Sequence, residues 1–316
     1  MIATTQADEG PGSSKPCAVS EAGPGNLRSV GLEEAVANVQ ASIEQAAEIA
    51  QVQQEDVSAV CLAAAGAGRQ SEKEQLESYL LQLGYSNFIV CTDADVLLPA
   101  VSTQTGCEHN TGIALIAGTG SIAIGCTLDG QKLRSGGWGY LLGDHGSGYA
   151  LGQAALADIT QVIDLVKPPS RLSEILPKRI GISDVQEIIP WCYSANDARE
   201  KIAGLAPVVF EAAESNCPVA RQIIEENAAK LASTCVALLR QAVGRHLQLT
   251  EQDGRLILAC SGSLLTQQPD YRDAVVRGVA QDSFVVQHVR EVSPHTVVSP
   301  VVGAVELARR LCTPVE

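Results

Sequence analysis

The chain has 316 residues, 46% of them apolar and 18% charged, and this length exceeds what one hydrophobic core usually serves, so two lobes are expected. Its 36 acidic and 22 basic residues give a net charge of −14 with no basic cluster, which argues against a nucleic-acid partner. No apolar run of about 18 residues is present, so we expect neither a membrane span nor a membrane partner.

The ten cysteines never fall within a CxxC spacing. Several, such as Cys61, Cys91 and Cys260, sit inside apolar strand-like runs, where a cysteine usually behaves as a small hydrophobic residue. The polar start, Met1 to Lys15, has no apolar core typical of a secretory signal. We therefore expect structural thiols in the reducing cytoplasm and no metal site built from protein ligands.

The first third of the chain alternates helices and buried strands. Apolar residues at three- and four-residue steps predict a helix from Glu33 to Ile49, and a second helix is predicted from Ser71 to Leu83. Continuous apolar runs predict buried strands at Val57–Ala64 and Phe88–Cys91. Strand, helix and strand in this order predict a parallel α/β layer.

From Gly112 the pattern changes to strands joined by turns. Strands are predicted at Ile113–Ala117, Ile122–Thr127 and Gln131–Arg134, and Asp129-Gly130 between the last two is a strong hairpin signal. Beyond Tyr149 the chain is predicted to be mostly helical. The segments predicted there are helices at Ala150–Ile163, Ala195–Ala213 and Val219–His246, a strand at Arg255–Cys260 and a final helix at Gly303–Cys312.

Twelve of the 28 glycines fall between Gly112 and Gly152, where they permit close approach of the backbone to a ligand. The turn Gly118–Ser121, of sequence GTGS, follows a predicted strand, so its amides and hydroxyls could converge on a phosphate. The motif alone favours a plain hairpin turn. It also fits a dinucleotide fingerprint through Ala123, but that fingerprint requires a helix next, whereas Ile122–Thr127 alternates like a strand.

The segment Ser135–Tyr149, of sequence SGGWGYLLGDHGSGY, is far more specific. Together with GTGS it resembles the sugar kinases of the N-acetylglucosamine kinase and BadF/BadG/BcrA/BcrD ATPase family, within the actin, hexokinase and Hsp70 superfamily. Further matches occur at Glu21–Asn26, Thr92–Ala94, Ile202–Pro207, Ser261–Ser263 and Pro300–Ala304.

This resemblance implies an α/β fold of two actin-like, ribonuclease H-like lobes, with nucleotide and sugar in a cleft between them. The first lobe is expected to comprise residues 1–104, with residues 299–316 packing back on it. The second lobe is expected to comprise residues 105–298.

The resemblance also assigns roles to single residues. Asp93, after a buried strand, matches the aspartate that accepts the proton of the sugar's 6-hydroxyl as it attacks the γ-phosphate of ATP. Asp95 is the competing base, and a helix N-cap is the structural alternative for Asp93. His145, beside Asp144, is expected to have no catalytic role. The residues implied in sugar binding are Asn26, Gly137, Trp138, Gly139 and Asp144.

For the nucleotide, the turn residues Gly118, Thr119, Gly120 and Ser121 are expected to meet the phosphates of ATP. Ala203 and Gly262 are expected to border the adenosine by analogy, although ordinary close packing explains small residues equally well. Mg²⁺ is expected through phosphate and water ligands, because this ion rarely uses an all-protein cage.

The N-terminus departs from the family pattern. Relatives open with a strand and an Asp-Gly-Gly-Gly-Thr loop around the phosphates, whereas this chain offers Asp8–Lys15, in which Pro11 removes an amide donor. The first lobe is therefore expected to be incomplete. A truncated kinase, a divergent kinase and a pseudokinase all fit this departure.

The implied function is ATP-dependent phosphorylation of an amino sugar, with N-acetylglucosamine and its 6-phosphate as the leading pair. Glucosamine and N-acetylmuramic acid are alternative acceptors. A sugar-binding or regulatory pseudokinase is the first alternative from another class, and a dehydratase-activating ATPase with an iron–sulfur cluster is the second. Relatives commonly form homodimers.

Overall fold

The computed structural model describes most of the chain, namely residues 2–4, 18–23, 25, 30–193 and 198–312. The chain divides into two compact units. Unit 1 comprises Met1–Asn110 and Val297–Glu316, and unit 2 comprises Thr111–Thr296. In these described ranges, no helix is long and apolar enough to cross a membrane.

Nine strands and thirteen α-helices form in the described part of the chain. In chain order they are β1 (Ile2–Thr4), β2 (Ala18–Ser20), α1 (Leu32–Ala50), β3 (Val60–Ala63), α2 (Gln70–Gln82), β4 (Phe88–Cys91), α3 (Leu97–Thr105), β5 (Gly112–Ala117), β6 (Ser121–Cys126), β7 (Lys132–Gly136), α4 (Gly148–Ile163), α5 (Arg171–Arg179), α6 (Ile188–Tyr193), α7 (Ala198–Ala203), α8 (Ala206–Glu214), α9 (Pro218–Gly244), β8 (Arg255–Ser261), α10 (Ser263–Gln267), α11 (Pro269–Ala280), α12 (Ser283–His288), β9 (Glu291–Thr296) and α13 (Val301–Cys312).

Unit 1 contains the predicted parallel layer. β3 and β4 pair in parallel, with Val60 opposite Phe88, and α2 connects them. Leu76 and Leu80 of α2 are buried with Val90 of β4 in one cluster, because a four-residue step keeps both leucines on one helix face. The strand–helix–strand prediction is therefore confirmed.

The last helix, α13, packs against α3 in the same unit. A methyl group at Gly303 would lie 1.8 Å from the carbonyl oxygen of Val96, so the two backbones are in direct contact and only glycine fits there. Arg310 adds an ion pair of 3.4 Å to Glu108 and a hydrogen bond of 3.1 Å to Asn110. The C-terminal end of the described chain thus completes unit 1.

A cavity of about 490 Å³ lies within unit 1. Apolar side chains of α1, β3 and α13 line most of it, including Ile43, Leu62 and Val301, and Asp93 also lies on its wall. Apolar surroundings disfavour the charged form of a carboxyl group. The apolar wall of this cavity therefore favours the protonated form of the Asp93 carboxyl group.

Unit 2 is built on a five-stranded sheet of order β7-β6-β5-β8-β9. β5, β6 and β7 form an antiparallel meander, whereas β8 pairs in parallel with both β5 and β9. Because β5 and β8 run parallel, their carboxyl ends at Ala117 and Ser261 lie at the same edge of the sheet. Ligands of α/β sheets bind at such an edge.

One sequence prediction in unit 2 needs correction. The helix predicted at Ala195–Ala213 is divided, since α7 ends at Ala203 and α8 starts at Ala206, and Ala195 itself lies outside the described residues. Gly204 has low helix propensity, and Pro207 has no N–H to donate to a preceding turn. The edge strand β9 is absent from the sequence predictions, and it contains Pro294, which an edge position tolerates.

The nine described cysteines are free thiols. Cys91, Cys217, Cys235 and Cys260 are buried, as expected of cysteines that pack as small hydrophobic residues. Burial raises the pKa of Cys260 to about 12, which keeps it protonated at neutral pH.

Candidate active site

The glycine-rich turn Gly118–Ser121 connects β5 to β6 at the carboxyl end of β5. The Gly118 N–H donates to the Gly120 carbonyl oxygen at 2.9 Å, which closes the turn. A strand follows directly, as predicted, whereas the dinucleotide-binding fingerprint needs a helix at this point. The turn therefore belongs to a hairpin.

The start of α4 holds this turn from the other side. The Gly148 N–H donates to the Gly118 carbonyl oxygen at 2.7 Å, and the Tyr149 N–H donates to the Thr119 carbonyl oxygen at 3.3 Å. These bonds use the first amides of a helix, which have no partners within the helix itself. Main-chain hydrogen bonds thus join the Gly118–Ser121 turn to the glycine-rich start of α4.

The loop Asp144–Ser147, which leads into α4, is fixed by two hydroxyl groups. Ser121 donates to the His145 carbonyl oxygen at 2.8 Å, and the buried Tyr271 donates to the Gly146 carbonyl oxygen at 2.7 Å. The His145 side chain itself is exposed. The Ser121 proton is therefore engaged within the fold, and Thr119 carries the other hydroxyl of the turn.

Small residues from distant parts of the chain meet at the end of β5. A methyl group at Gly148 would lie 3.1 Å from the Gly118 carbonyl oxygen and 3.2 Å from that of Ala203. Gly262, with a φ of 88°, is so close to β5 that a methyl group would lie 2.4 Å from the Ala117 carbonyl oxygen. Both the positive φ and the close contact with β5 therefore require glycine at Gly262.

Asp144 lies directly above the turn. Its side chain is 4% exposed and its φ is 54°, a left-handed conformation that aspartate adopts more readily than most residues. Its Oδ2 lies 3.5 Å from Nη2 of Arg199. A methyl group at Gly120 would lie 2.7 Å from each of these two atoms, so the carboxylate and the guanidinium share the space over Gly120.

The segment Gly137–Trp138–Gly139 begins beside the same turn, since the Gly137 N–H donates to the Ser121 carbonyl oxygen at 3.1 Å. Gly137 and Gly139 have φ values of 67° and 84°, which glycine adopts without strain. The indole of Trp138 is 64% exposed, and the Arg134 guanidinium lies 4.2 Å from its ring centroid. This bend presents a large apolar ring to solvent.

In unit 1, Asp93 follows β4. Burial raises the pKa of Asp93 above its ordinary value; hydrogen bonds from the Asp93 and Ala94 amides oppose this effect, and the nearby Asp95 charge adds to it. The Asp95 carboxylate accepts the Thr92 N–H at 2.9 Å, which closes the turn. α3 begins at Leu97 without a side-chain cap, so the structure does not use Asp93 as an N-cap.

The predicted site residues therefore fall into three groups. Those of unit 2 lie at one edge of its sheet and are Gly118, Thr119, Gly120, Ser121, Gly137, Trp138, Gly139, Asp144, Ala203 and Gly262. Asp93 lies in unit 1. Asn26 and the segment Asp8–Lys15 lie outside the described residues.

Arg199 is a member of this site that the sequence analysis missed. It lies on α7, and its guanidinium is 5.9 Å from the ring centroid of Tyr140 as well as 3.5 Å from Asp144. The signal was its spacing: it precedes Ala203 by four residues, which places both on one face of a helix. A basic residue at that spacing could have been assigned to the phosphate region.

A comparison with known protein families identifies one whose sequence profile the chain matches. The sequence profile of the BadF/BadG/BcrA/BcrD ATPase family matches residues 13–308. The match therefore includes both units.

Two curated relatives are sugar kinases by name. The chain is 30% identical over 212 residues to the N-acetylmuramic acid/N-acetylglucosamine kinase of Clostridium acetobutylicum, covering 67% of this chain and 65% of that protein. It is 32% identical over 176 residues to the N-acetyl-D-glucosamine kinase of Dictyostelium discoideum, covering 54% of each. The chain thus matches between about half and two thirds of the length of these relatives.

A solved structure shares the fold over nearly the whole chain. It is a protein of Chromobacterium violaceum provisionally assigned as an N-acetylglucosamine kinase, with a TM-score of 0.65 and 24% identity. The superposition covers 92% of this chain and 90% of that one. At this identity the likeness establishes a shared α/β fold.

Proposed function

Because the chain belongs to the BadF/BadG/BcrA/BcrD ATPase family, we propose that it transfers the terminal phosphoryl group of ATP to an amino sugar. The observation that carries this proposal is the convergence of the Gly118–Ser121 turn, Asp144 and Arg199 around Gly120. The names of the two curated relatives support an amino sugar as acceptor. We propose N-acetylglucosamine as the first substrate and its 6-hydroxyl as the acceptor group.

The turn of unit 2 would hold the nucleotide. The Gly120 amide and the Thr119 hydroxyl are donors that suit phosphate oxygens, whereas the Ser121 hydroxyl is already engaged by a carbonyl group. Ala203 and Gly262, packed beside the turn, would border the adenosine. Mg²⁺ would enter bound to the phosphates and would neutralise part of their negative charge.

The sugar would bind through Asp144, with Asn26 proposed as a second polar contact. A buried carboxylate accepts hydrogen bonds from sugar hydroxyls, and a sugar that lacks the matching hydroxyl leaves it unpaired, which costs free energy. The indole of Trp138, between Gly137 and Gly139, would cover an apolar face of the sugar.

Asp93 is the proposed base. Its carboxylate would accept the proton of the 6-hydroxyl as the new oxygen–phosphorus bond forms and ADP departs. Burial raises the pKa of Asp93, which makes its carboxylate a better proton acceptor than an exposed one. This step assigns the base to unit 1 and the phosphate-binding residues to unit 2.

The test is a coupled ADP-release assay with ATP, Mg²⁺ and three sugars: N-acetylglucosamine, glucosamine and N-acetylmuramic acid. Asp93→Asn is expected to lower kcat by about 10²–10⁴-fold, the usual contribution of a general base. Asp95→Asn keeps an acceptor oxygen for the Thr92 amide and serves as the matched control. NMR of the product is expected to place the phosphate on oxygen 6.

Three outcomes would contradict the proposal. A larger loss in Asp95→Asn than in Asp93→Asn would move the base to Asp95. Sugar binding in a calorimeter without ADP release would identify a binding protein without turnover. An iron–sulfur chromophore in the purified chain would instead favour a dehydratase-activating ATPase.

A further inference from the structure

The guanidinium of Arg199 lies against the backbone of the candidate site. It lies on the short helix α7, yet its Nη2 is close enough to the Gly118–Ser121 turn that a methyl group at Gly120 would lie 2.7 Å from it. The carboxylate of Asp144 lies over the same glycine. The guanidinium is therefore held against the backbone of the turn.

Within the described part of the chain, the hydrogen bonding of Arg199 is incomplete. Its contact of 3.5 Å with Asp144 is longer than the 2.7–2.9 Å or so of a strong charge-assisted hydrogen bond. Its Nε is buried and finds no acceptor among the described residues. A guanidinium carries five N–H donors, and a buried donor without an acceptor bears the full free-energy penalty of lost hydration. An anionic oxygen beside the turn would satisfy this group.

The chemistry of such an anion follows from the surroundings. A guanidinium presents a planar fork that matches the oxygens of a phosphate, and the adjacent turn supplies the Thr119 hydroxyl. The chain as a whole has a net charge of −14, so a cation at this position counters a field that repels nucleotides. A nucleotide phosphate fits these features.

We propose that Arg199 binds the terminal phosphate of the nucleotide and stabilises its charge during transfer. Its link to Asp144, the proposed sugar ligand, places it where phosphate and acceptor would meet. On phosphate binding, the guanidinium exchanges its long contact with Asp144 for phosphate oxygens, which leaves the carboxylate to the sugar. This role deepens the proposed kinase function and rests on it.

The test compares nucleotide binding with turnover in Arg199→Gln, Arg199→Lys and the exposed control Arg245→Gln. Arg199→Gln is expected to raise the Kd for ATP by about 10-fold or more in calorimetry and to leave adenosine binding within about 2-fold. Its kcat is expected to fall by about 10²–10³-fold, as for loss of one group that stabilises developing charge. Arg199→Lys is expected to recover part of kcat, and Arg245→Gln to match wild type.

Equal ATP affinity in Arg199→Gln and wild type would overturn the proposal. So would an equal loss for adenosine and ATP, because that pattern indicates a structural role of Arg199. A wild-type chain that binds ATP but phosphorylates no sugar would refute the proposed kinase function alone, since the comparison of ATP with adenosine needs no turnover.

Discussion

Gly152 is the position where a single methyl group should disturb the candidate site from within. A methyl group there would lie 1.9 Å from the carbonyl oxygen of Ile202, which a hydrogen bond of 3.1 Å from the Leu205 amide holds in place. An ordinary contact of about 3.5 Å requires α4 and α7 to separate by about 1.6 Å. Gly152→Ala would therefore displace the helix that carries Arg199.

The expected change in the free energy of unfolding of Gly152→Ala follows from two opposing effects. Overpacking of this severity costs about 3 kcal/mol, the upper end of the usual range, and alanine in a helix returns about 1 kcal/mol relative to glycine. The free energy of unfolding of unit 2 is expected to fall by about 2 kcal/mol. Gly244→Ala at the end of α9 is the control, because a methyl group there meets nothing within 4 Å.

Fluorescence during urea unfolding can measure this difference. The chain has two tryptophans, Trp138 and Trp191, and both lie in unit 2, so their emission follows the unfolding of that unit. Gly152→Ala is expected to unfold at lower urea concentration than wild type, and Gly244→Ala at the same or a higher one. Equal midpoints for the two variants would refute the contact between α4 and α7.

Three further predictions concern a carboxyl, a hydroxyl and the thiols. Because burial raises the folded-state pKa of Asp93, its charge destabilises the fold at neutral pH. Asp93→Asn should therefore have a higher thermal midpoint than wild type in calorimetry at pH 7. This difference should shrink as the pH falls toward 3.8, because the carboxyl group then becomes protonated in both the folded and the unfolded chain. An equal or lower midpoint at pH 7 would contradict this. Tyr271→Phe removes the hydrogen bond to the Gly146 carbonyl oxygen and should lower the free energy of unfolding by about 1–2 kcal/mol in the same urea titration, whereas Tyr193→Phe, at an 84% exposed position, should leave it unchanged. Iodoacetamide at pH 8 should label the exposed Cys312 about 100-fold faster than the buried Cys260, measured by peptide mass spectrometry, and similar rates would show that the Cys260 thiol is accessible.

Local periodicity explains which parts of the fold were predictable. The helix predicted from Glu33 to Ile49 is α1, Leu32–Ala50, because its apolar residues recur at three- and four-residue steps. β9 carries no such pattern, and its strand conformation comes from pairing with β8, a contact between segments far apart in the chain. Sequence patterns report local preference and miss structure imposed by distant neighbours.

The candidate site likewise has parts that follow from local sequence and parts that depend on distant contacts. The turn at Gly118–Ser121 was predictable from glycine spacing, and the structure joins it to the start of α4. The contact between Asp144 and Arg199 spans 55 residues and depends on how α7 packs, which no motif encodes. The roles of Asp93 and Asn26 rest on the family resemblance and stay predictions.

The return of α13 to unit 1 also sets an order of assembly in the cell. During synthesis the ribosome releases all of Thr111–Thr296 before the helix that packs Gly303 against Val96. Domains generally fold as units as they emerge, so unit 2 can complete its sheet while the earlier-made unit 1 still lacks its final helix. The unit whose synthesis begins first thus needs the last described helix of the chain to finish folding.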